Sequence, residues 1–308
     1  MQIKKYMISL VILLTPFVAA ACDICGCGVG NSYIGILPEF HKHIVGFRYR
    51  YNAVMTHVGA GGEYTYLTTG ETYKTIEAWT GFNIGDKFRL MAFVPLNFSE
   101  RNNYGVIHSK NGIGDIGVAG YYQLLNSKRP VLKNKLLVQS LWIGAGVKMA
   151  TGQYNPLDKT SNNDNANLFQ LGTGSNDFNI NAMYDIRLQD AGLNISSGYK
   201  INTSNRYGYR YGNKFNLSGQ AYYKFRIKNK LTVAPNAGMQ YEQAATDSDK
   251  DFAVTVSGGN LLLGTAGLEA LVGKIAAGAN YQTPISQQLA NGIVRSGNRF
   301  MLHMAIAF

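Results

Sequence analysis

Downstream of residue 21, this 308-residue sequence contains no long uninterrupted apolar run. A helix that crosses a bilayer needs about 20 consecutive apolar residues, so any membrane passage by the mature chain must use strands. No stretch rich in Pro, Gly and Ser divides the chain into halves, and one domain is the economical reading. All three cysteines fall within Cys22–Cys27, which leaves none further along to build a disulfide framework. The formal charge is +11, yet Lys and Arg form no compact cluster, which argues against a nucleic-acid partner. The glycine-rich segments are not followed by Gly-Lys-Ser/Thr, which argues against nucleotide binding.

What is present begins with a leader. Lys4 and Lys5, the run Met7-Ile8-Ser9-Leu10-Val11-Ile12-Leu13-Leu14 and the small residues Ala19-Ala20-Ala21 read as a secretory signal peptide over residues 1–21. Its removal takes away Lys4 and Lys5 and lowers the charge from +11 to +9, which still biases a lumen or surface toward anions. The 20 Tyr, 14 Phe and 35 Gly suit long strands with aromatic girdles and tight corners.

Alternation is the main structural signal. In Phe178 to Leu188, Phe178, Ile180, Ala182, Tyr184, Ile186 and Leu188 share one face, with Asn179, Asn181, Met183, Asp185 and Arg187 on the other. Phe215 to Arg226 repeats the pattern, with Asn216, Ser218, Gln220, Tyr222, Lys224 and Arg226 on the polar side. One face wants lipid and the other wants water. The last nine residues set Phe300, Leu302, Met304, Ile306 and Phe308 on one face and end on an aromatic. In this they resemble bacterial outer-membrane β-barrels, whose last strand is read by the barrel-assembly machinery. Further segments fall at Ile44–Ala53, Tyr73–Ile84, Phe88–Phe98, Ile113–Leu125, Leu136–Met149, Leu193–Asn202, Leu231–Glu242, Leu261–Val272, Ile275–Thr283 and Arg299–Phe308.

The expected fold is therefore all-β: a transmembrane, antiparallel, up-and-down barrel of about twelve strands over residues 44–308, in contact with outer-membrane lipid. Gly85-Asp86, Gln189–Gly192, Lys228–Lys230 and Gly273-Lys274 are short connections. Val54–Thr72, Ser99–Gly112, Gly152–Asn176, Thr203–Lys214, Gln243–Asn260 and Pro284–Asn298 are long, polar and alternate with them. Short periplasmic turns and long extracellular loops have this asymmetry. Ser127–Asn134 reads as a turn that is long for its side, and Pro95 and Pro235 predict bulges or early strand ends.

Gly112-Ile113-Gly114-Asp115-Ile116, Gly144-Ala145-Gly146-Val147-Lys148-Met149-Ala150-Thr151-Gly152 and Leu171-Gly172-Thr173-Gly174-Ser175-Asn176-Asp177-Phe178 resemble, in order and spacing, the outer-membrane barrel family named for the meta-pathway of phenol degradation. Ala150 stands where family members tend to carry Pro. The resemblance implies a channel or transporter for small solutes of hydrophobic or aromatic character; the basic charge balance adds anionic solutes, and the chain is expected not to be an enzyme. The glycines read first as positions where strands bend into loops. Asp115 and Lys148 form a candidate pore-lining pair.

For transport, the candidate lumen-lining charges are Arg48, Arg50, Glu77, Asp185, Arg187, Lys200, Lys224, Arg226 and Glu242. Basic groups outnumber acidic ones, which predicts a mild anion preference, and pairing of these charges across the lumen is the competing reading. A phospholipase-like barrel hydrolase is the alternative from another class. Its candidate is His108-Ser109-Lys110-Asn111-Gly112, placed in a loop, but neighbouring residues on an extended chain point apart and cannot form a nucleophile–base pair.

Residues 22–43 form a Cys-rich N-terminal segment. Cys22 would become the first mature residue and a lipidation site, although Ala19 stands where a lipobox usually has Leu. A disulfide between two of the cysteines is the second reading. Soft-metal binding is the third, with Cys22, Cys25, Cys27, His41 and His43 as ligands to Cu or Zn, in a barrel that is otherwise structural. Val29–His43 is too apolar for a free tail and is expected to fold against the inner wall or the periplasmic mouth as a plug.

Overall fold

The computed structural model describes residues 42–59, 62–103, 105–131, 135–158, 167–228 and 230–308. In chain order the strands are β1 (Ile44–Thr56), β2 (Thr69–Ile84), β3 (Phe88–Asn103), β4 (Val106–Ile113), β5 (Gly117–Val131), β6 (Lys135–Lys148), β7 (Asp177–Leu188), β8 (Ala191–Ile201) and β9 (Tyr209–Arg210). They continue with β10 (Lys214–Tyr223), β11 (Phe225–Ile227), β12 (Leu231–Ala244), β13 (Ser248–Asp249), β14 (Phe252–Ala253), β15 (Gly259–Val272), β16 (Ile275–Leu289) and β17 (Arg295–Ala307).

Twelve of these are the staves of one closed antiparallel barrel, in the ring order β1, β2, β3, β5, β6, β7, β8, β10, β12, β15, β16, β17. The ring closes where β1 pairs with β17, from Ile44↔Ala307 to Met55↔Arg295. Closure pairs every stave on both sides, as a strand assembly in lipid requires, because the hydrocarbon offers no partner to an unpaired N–H or C=O. The short strands elaborate one end: β4 extends the upper half of β3, and β9, β13 and β14 make a small sheet within the loops. At the opposite end, β11 continues β10 past a break at Lys224.

Side-chain alternation maps onto the wall as the sequence leads one to expect. Phe178 is 49% exposed and its neighbour Asn179 3%. On β17, Phe300, Leu302, Met304 and Ile306 face outward while His303 and Ala305 are buried. A one-residue slip would turn every apolar group inward, so this pattern fixes the register.

Connections at one end are tight: 85–87, 132–134, 189–190, 228–230 and 273–274. At the other they are long: 57–68, 149–176, 202–213 and 245–258. Three expectations change. Pro284–Asn298 is mostly strand, because β16 runs on to Leu289 and β17 starts at Arg295, which leaves 290–294 as the connection. Within Ser127–Asn134, Ser127 to Val131 is strand, because the β5–β6 ladder runs on through Ser127↔Gln139 to Val131↔Lys135. Ser99–Gly112 is a hairpin, with β3 and β4 paired from Leu96↔Ile113 to Asn103↔Val106, so His108 and Ser109 lie on a strand. Both prolines sit at ladder breaks. The β3–β5 ladder stops at Phe93 and the β3–β4 ladder starts at Leu96, with Pro95 between them accepting from Gly114 N–H at 2.8 Å. Pro235 faces the gap between the β10 and β11 ladders. A residue that cannot donate is tolerated where no rung is needed.

Candidate functional site

The inward faces of the staves define a lumen with two unlike walls. On the arc from β2 to β6, Trp79, Met91, Phe93, Tyr121 and Trp142 pack as a buried aromatic-rich cluster together with Ile44, Ala119 and Ala305. The arc from β7 to β16 carries Asn179, Asn181, Gln220, Asn236 and Asn280, all buried. Both amide atoms of Asn179 and Asn280, with Asn181 Nδ2, Gln220 Oε1 and Asn236 Oδ1, find no hydrogen-bond partner among the described residues. Burying an amide without a partner costs roughly 1–3 kcal/mol, so this row of interior amides is where an ordered water or a solute group would recover hydrogen bonds.

Charged groups are paired across this interior. Arg48 and Arg50 both donate to Glu77, the second at 3.1 Å, and all three side chains are buried or nearly so. Arg299 clamps Glu242 through Nη1 at 2.7 Å and Nη2 at 3.0 Å, and Gln240 donates to the same carboxylate at 2.6 Å. Asp185 receives the Tyr222 hydroxyl at 3.0 Å, Arg187 donates to the Gln189 carbonyl at 2.6 Å, and Lys224 lies 5.4 Å from the Tyr222 ring centre. Arg226 is at the tight-turn rim, its side chain 55% exposed and paired with Asp190 at 3.0 Å.

At the long-loop end, residues 149–158 and 167–176 fold into the barrel mouth. Lys148 is the hub. Its ammonium contacts Asp115, Thr173 and the Ser175 carbonyl, and pairs with Asp177 at 2.8 Å; Asp177 in turn meets Lys200 at 3.2 Å. The Asp115 carboxylate also accepts from the N–H groups of Gly152 and Thr173, both at 2.9 Å. The pair Asp115–Lys148 anticipated in the sequence is thus part of a four-residue buried ion network that ties the loop to β6, β7 and β8. Asn97 on β3 donates to the Leu171 carbonyl at 2.9 Å, and Leu168 joins a buried apolar cluster with Val54, Tyr73, Leu261, Leu263, Leu289, Ala290 and Val294.

The sequence reading missed this inward fold, and with it the roles of Arg299, Asn97 and Asp177. The available signal was Leu168, Phe169 and Leu171, large apolar residues inside a stretch read as a polar external loop; all three are buried. Residues 1–41, including the expected signal peptide, Cys22, Cys25, Cys27, His41 and most of Val29–His43, lie outside the described residues. His43 Nδ1 accepts from Asn83 N–H at 3.2 Å, and its ring is 5.8 Å from those of both Phe82 and Phe308. His108 and Ser109 are exposed successive residues of β4 and so point to opposite faces.

No protein-family model matches the chain, and no curated protein matches it either. Among solved structures, an outer membrane channel from Pseudomonas putida F1 is similar over 91% of this chain and 100% of its own, with a TM-score of 0.62 and 11% identity. The β-domain of the Bordetella autotransporter BrkA covers 87% of this chain and 100% of its own (TM-score 0.46, 10% identity), and a Pseudomonas aeruginosa FadL homologue covers 94% and 100% (TM-score 0.37, 11% identity). Closed ring, apolar exterior and the first of these likenesses define the fold as that of a bacterial outer-membrane β-barrel.

Proposed function

We propose that this chain is an outer-membrane channel for small solutes, favouring those that join an apolar ring to polar or anionic substituents. The carrying observation is the two-sided interior, with Trp79, Phe93, Tyr121 and Trp142 on one arc and buried amides that keep unbonded atoms on the other. A ring can lie against the first while its substituents bond to the second. Twelve strands fall between the eight that side chains fill and the sixteen or more that leave a wide aqueous pore, which suits a narrow, selective path. The glycine-rich motifs, which resemble those of the phenol meta-pathway family in order and spacing, support the same cargo class. So does the charge balance: two arginines, Arg48 and Arg50, share the carboxylate of Glu77, which favours a mild anion preference.

Planar-bilayer recordings in KCl test this reading. Benzoate is expected to interrupt the current with resolvable blocks, whereas acetate, of equal charge but without a ring, leaves it unbroken. Absence of any conductance would instead favour a purely structural barrel.

A further inference from the structure

In the β3–β4 hairpin Ser99 pairs with Lys110 and Arg101 with His108, so Arg101 and Lys110 are diagonal neighbours on one face. Both cations stand over the ring of Phe169, Arg101 Cζ at 4.4 Å and Lys110 Nζ at 4.8 Å from its centre. The face of an aromatic ring carries negative potential and attracts cations within about 6 Å. Arg101 is fixed from its other side, where the Glu71 carboxylate accepts its Nε–H at 2.7 Å and is itself bonded by the Tyr73 hydroxyl. The Lys110 ammonium has two further partners: the Asp158 carboxylate, and the Phe169 carbonyl at 2.6 Å.

A ring from one inward segment and a carboxylate from the other thus converge on one pair of cations. Together they offer what a single aryl carboxylate carries on one frame, a π face for the guanidinium and an anionic group for the ammonium. The Lys110 and Asp158 side chains are 21% and 27% exposed, so an ion arriving from water reaches the pair. Ion pairs at such part-exposed positions contribute little, and exchange of Asp158 for a second carboxylate replaces like with like.

We propose that Arg101 and Lys110 form a binding site for aryl carboxylates at the long-loop mouth, filled in this structure by the chain's own Phe169 and Asp158, which compete with the ligand. The proposal rests on the channel reading and gives it a recognition site for one class of solute. Its test is calorimetric binding of phenylacetate, whose carboxylate can turn out of the ring plane, to the full chain in detergent. Cyclohexylacetate serves as the probe of equal charge and similar size without a π face. Phenylacetate should bind about tenfold more tightly, whereas a merely apolar cleft would favour cyclohexylacetate. Phe169→Ala and Asp158→Asn each remove part of the internal competitor and should each tighten phenylacetate about tenfold, the factor that corresponds to ~1.4 kcal/mol. Adding Lys110→Met to Phe169→Ala should abolish the gain, which separates this site from any other that a loosened loop uncovers. Mobility on unboiled gels identifies the folded barrels, and Asp158→Asn alters only a part-exposed side chain. The site is overturned if folded Phe169→Ala or Asp158→Asn protein binds phenylacetate no better than the parent, if the gain survives Lys110→Met, or if cyclohexylacetate binds equally well. KCl conductance of the parent in planar bilayers tells the two readings apart. Conductance without this binding pattern overturns the site alone, and the binding pattern without conductance overturns the channel reading alone.

Discussion

Gly172 and Gly152 pack backbone to backbone at the barrel mouth: a Cβ on Gly172 would lie 2.7 Å from the Gly152 Cα and 2.4 Å from the Asp115 carboxylate. Two segments of the loop are thereby brought onto one acidic side chain, which accepts an N–H from Gly152 and from Thr173. The glycine-rich motifs owe their composition to this close approach of chains, because any side chain would push the loop out of the lumen.

Gly172→Ala should accordingly undock the segment. Overpacking of this kind costs typically 1–3 kcal/mol. Limited proteolysis within residues 153–171 should accelerate, and single-channel conductance should rise. Unchanged cleavage kinetics would mean that the loop is not held by this contact.

Lys148→Met keeps the length of the side chain and removes the charge. Asp115 and Asp177 are then left buried against each other, with Lys200 as the remaining cation of the network. Removal of one partner from a buried ion cluster costs about 3–5 kcal/mol. The denaturant midpoint of the folded barrel should fall, and adding Asp115→Asn to Lys148→Met should recover part of the loss.

Glu77→Gln removes the carboxylate that Arg48 and Arg50 share. In a KCl gradient the reversal potential should move toward that of chloride, and the shift should shrink as salt is raised. A move toward potassium would contradict an interior position for the two arginines.

The loop should also respond to alkali. Burial pushes the Tyr154 phenol above its ordinary value; hydrogen bonds from Asn205 and Asn167 offset part of this, and the nearby carboxylates of Asp249 and Asp247 add to it. The docked state therefore holds this proton more tightly than the free loop does. Its contribution to docking is complete below the usual tyrosine range near 10 and is lost as pH rises through that value toward the raised one. Protease sensitivity of the loop should climb over that window and lose its pH dependence in Tyr154→Phe.

Much of the barrel was legible because strand geometry imposes a period of two, and lipid and water read opposite faces of it. Phe178 and Asn179, or Leu302 and His303, declare their sides without any tertiary information. Which charges pair was not legible, since Glu242 and Arg299 meet only after the ring has closed. The inward loop was hidden for a related reason. Its polar residues, among them Asn167, Gln170 and Thr173, suit an exposed segment and a hydrated lumen equally well, and only Leu168, Phe169 and Leu171 mark the difference.

The single-channel conductance of the chain, compared before and after Leu168, Phe169 and Leu171 are replaced by serine, most directly tests the account of a water-filled barrel narrowed by its own loop. A small conductance that at least doubles on replacement is the predicted result. Equal conductance in both proteins, or none in either, would contradict it.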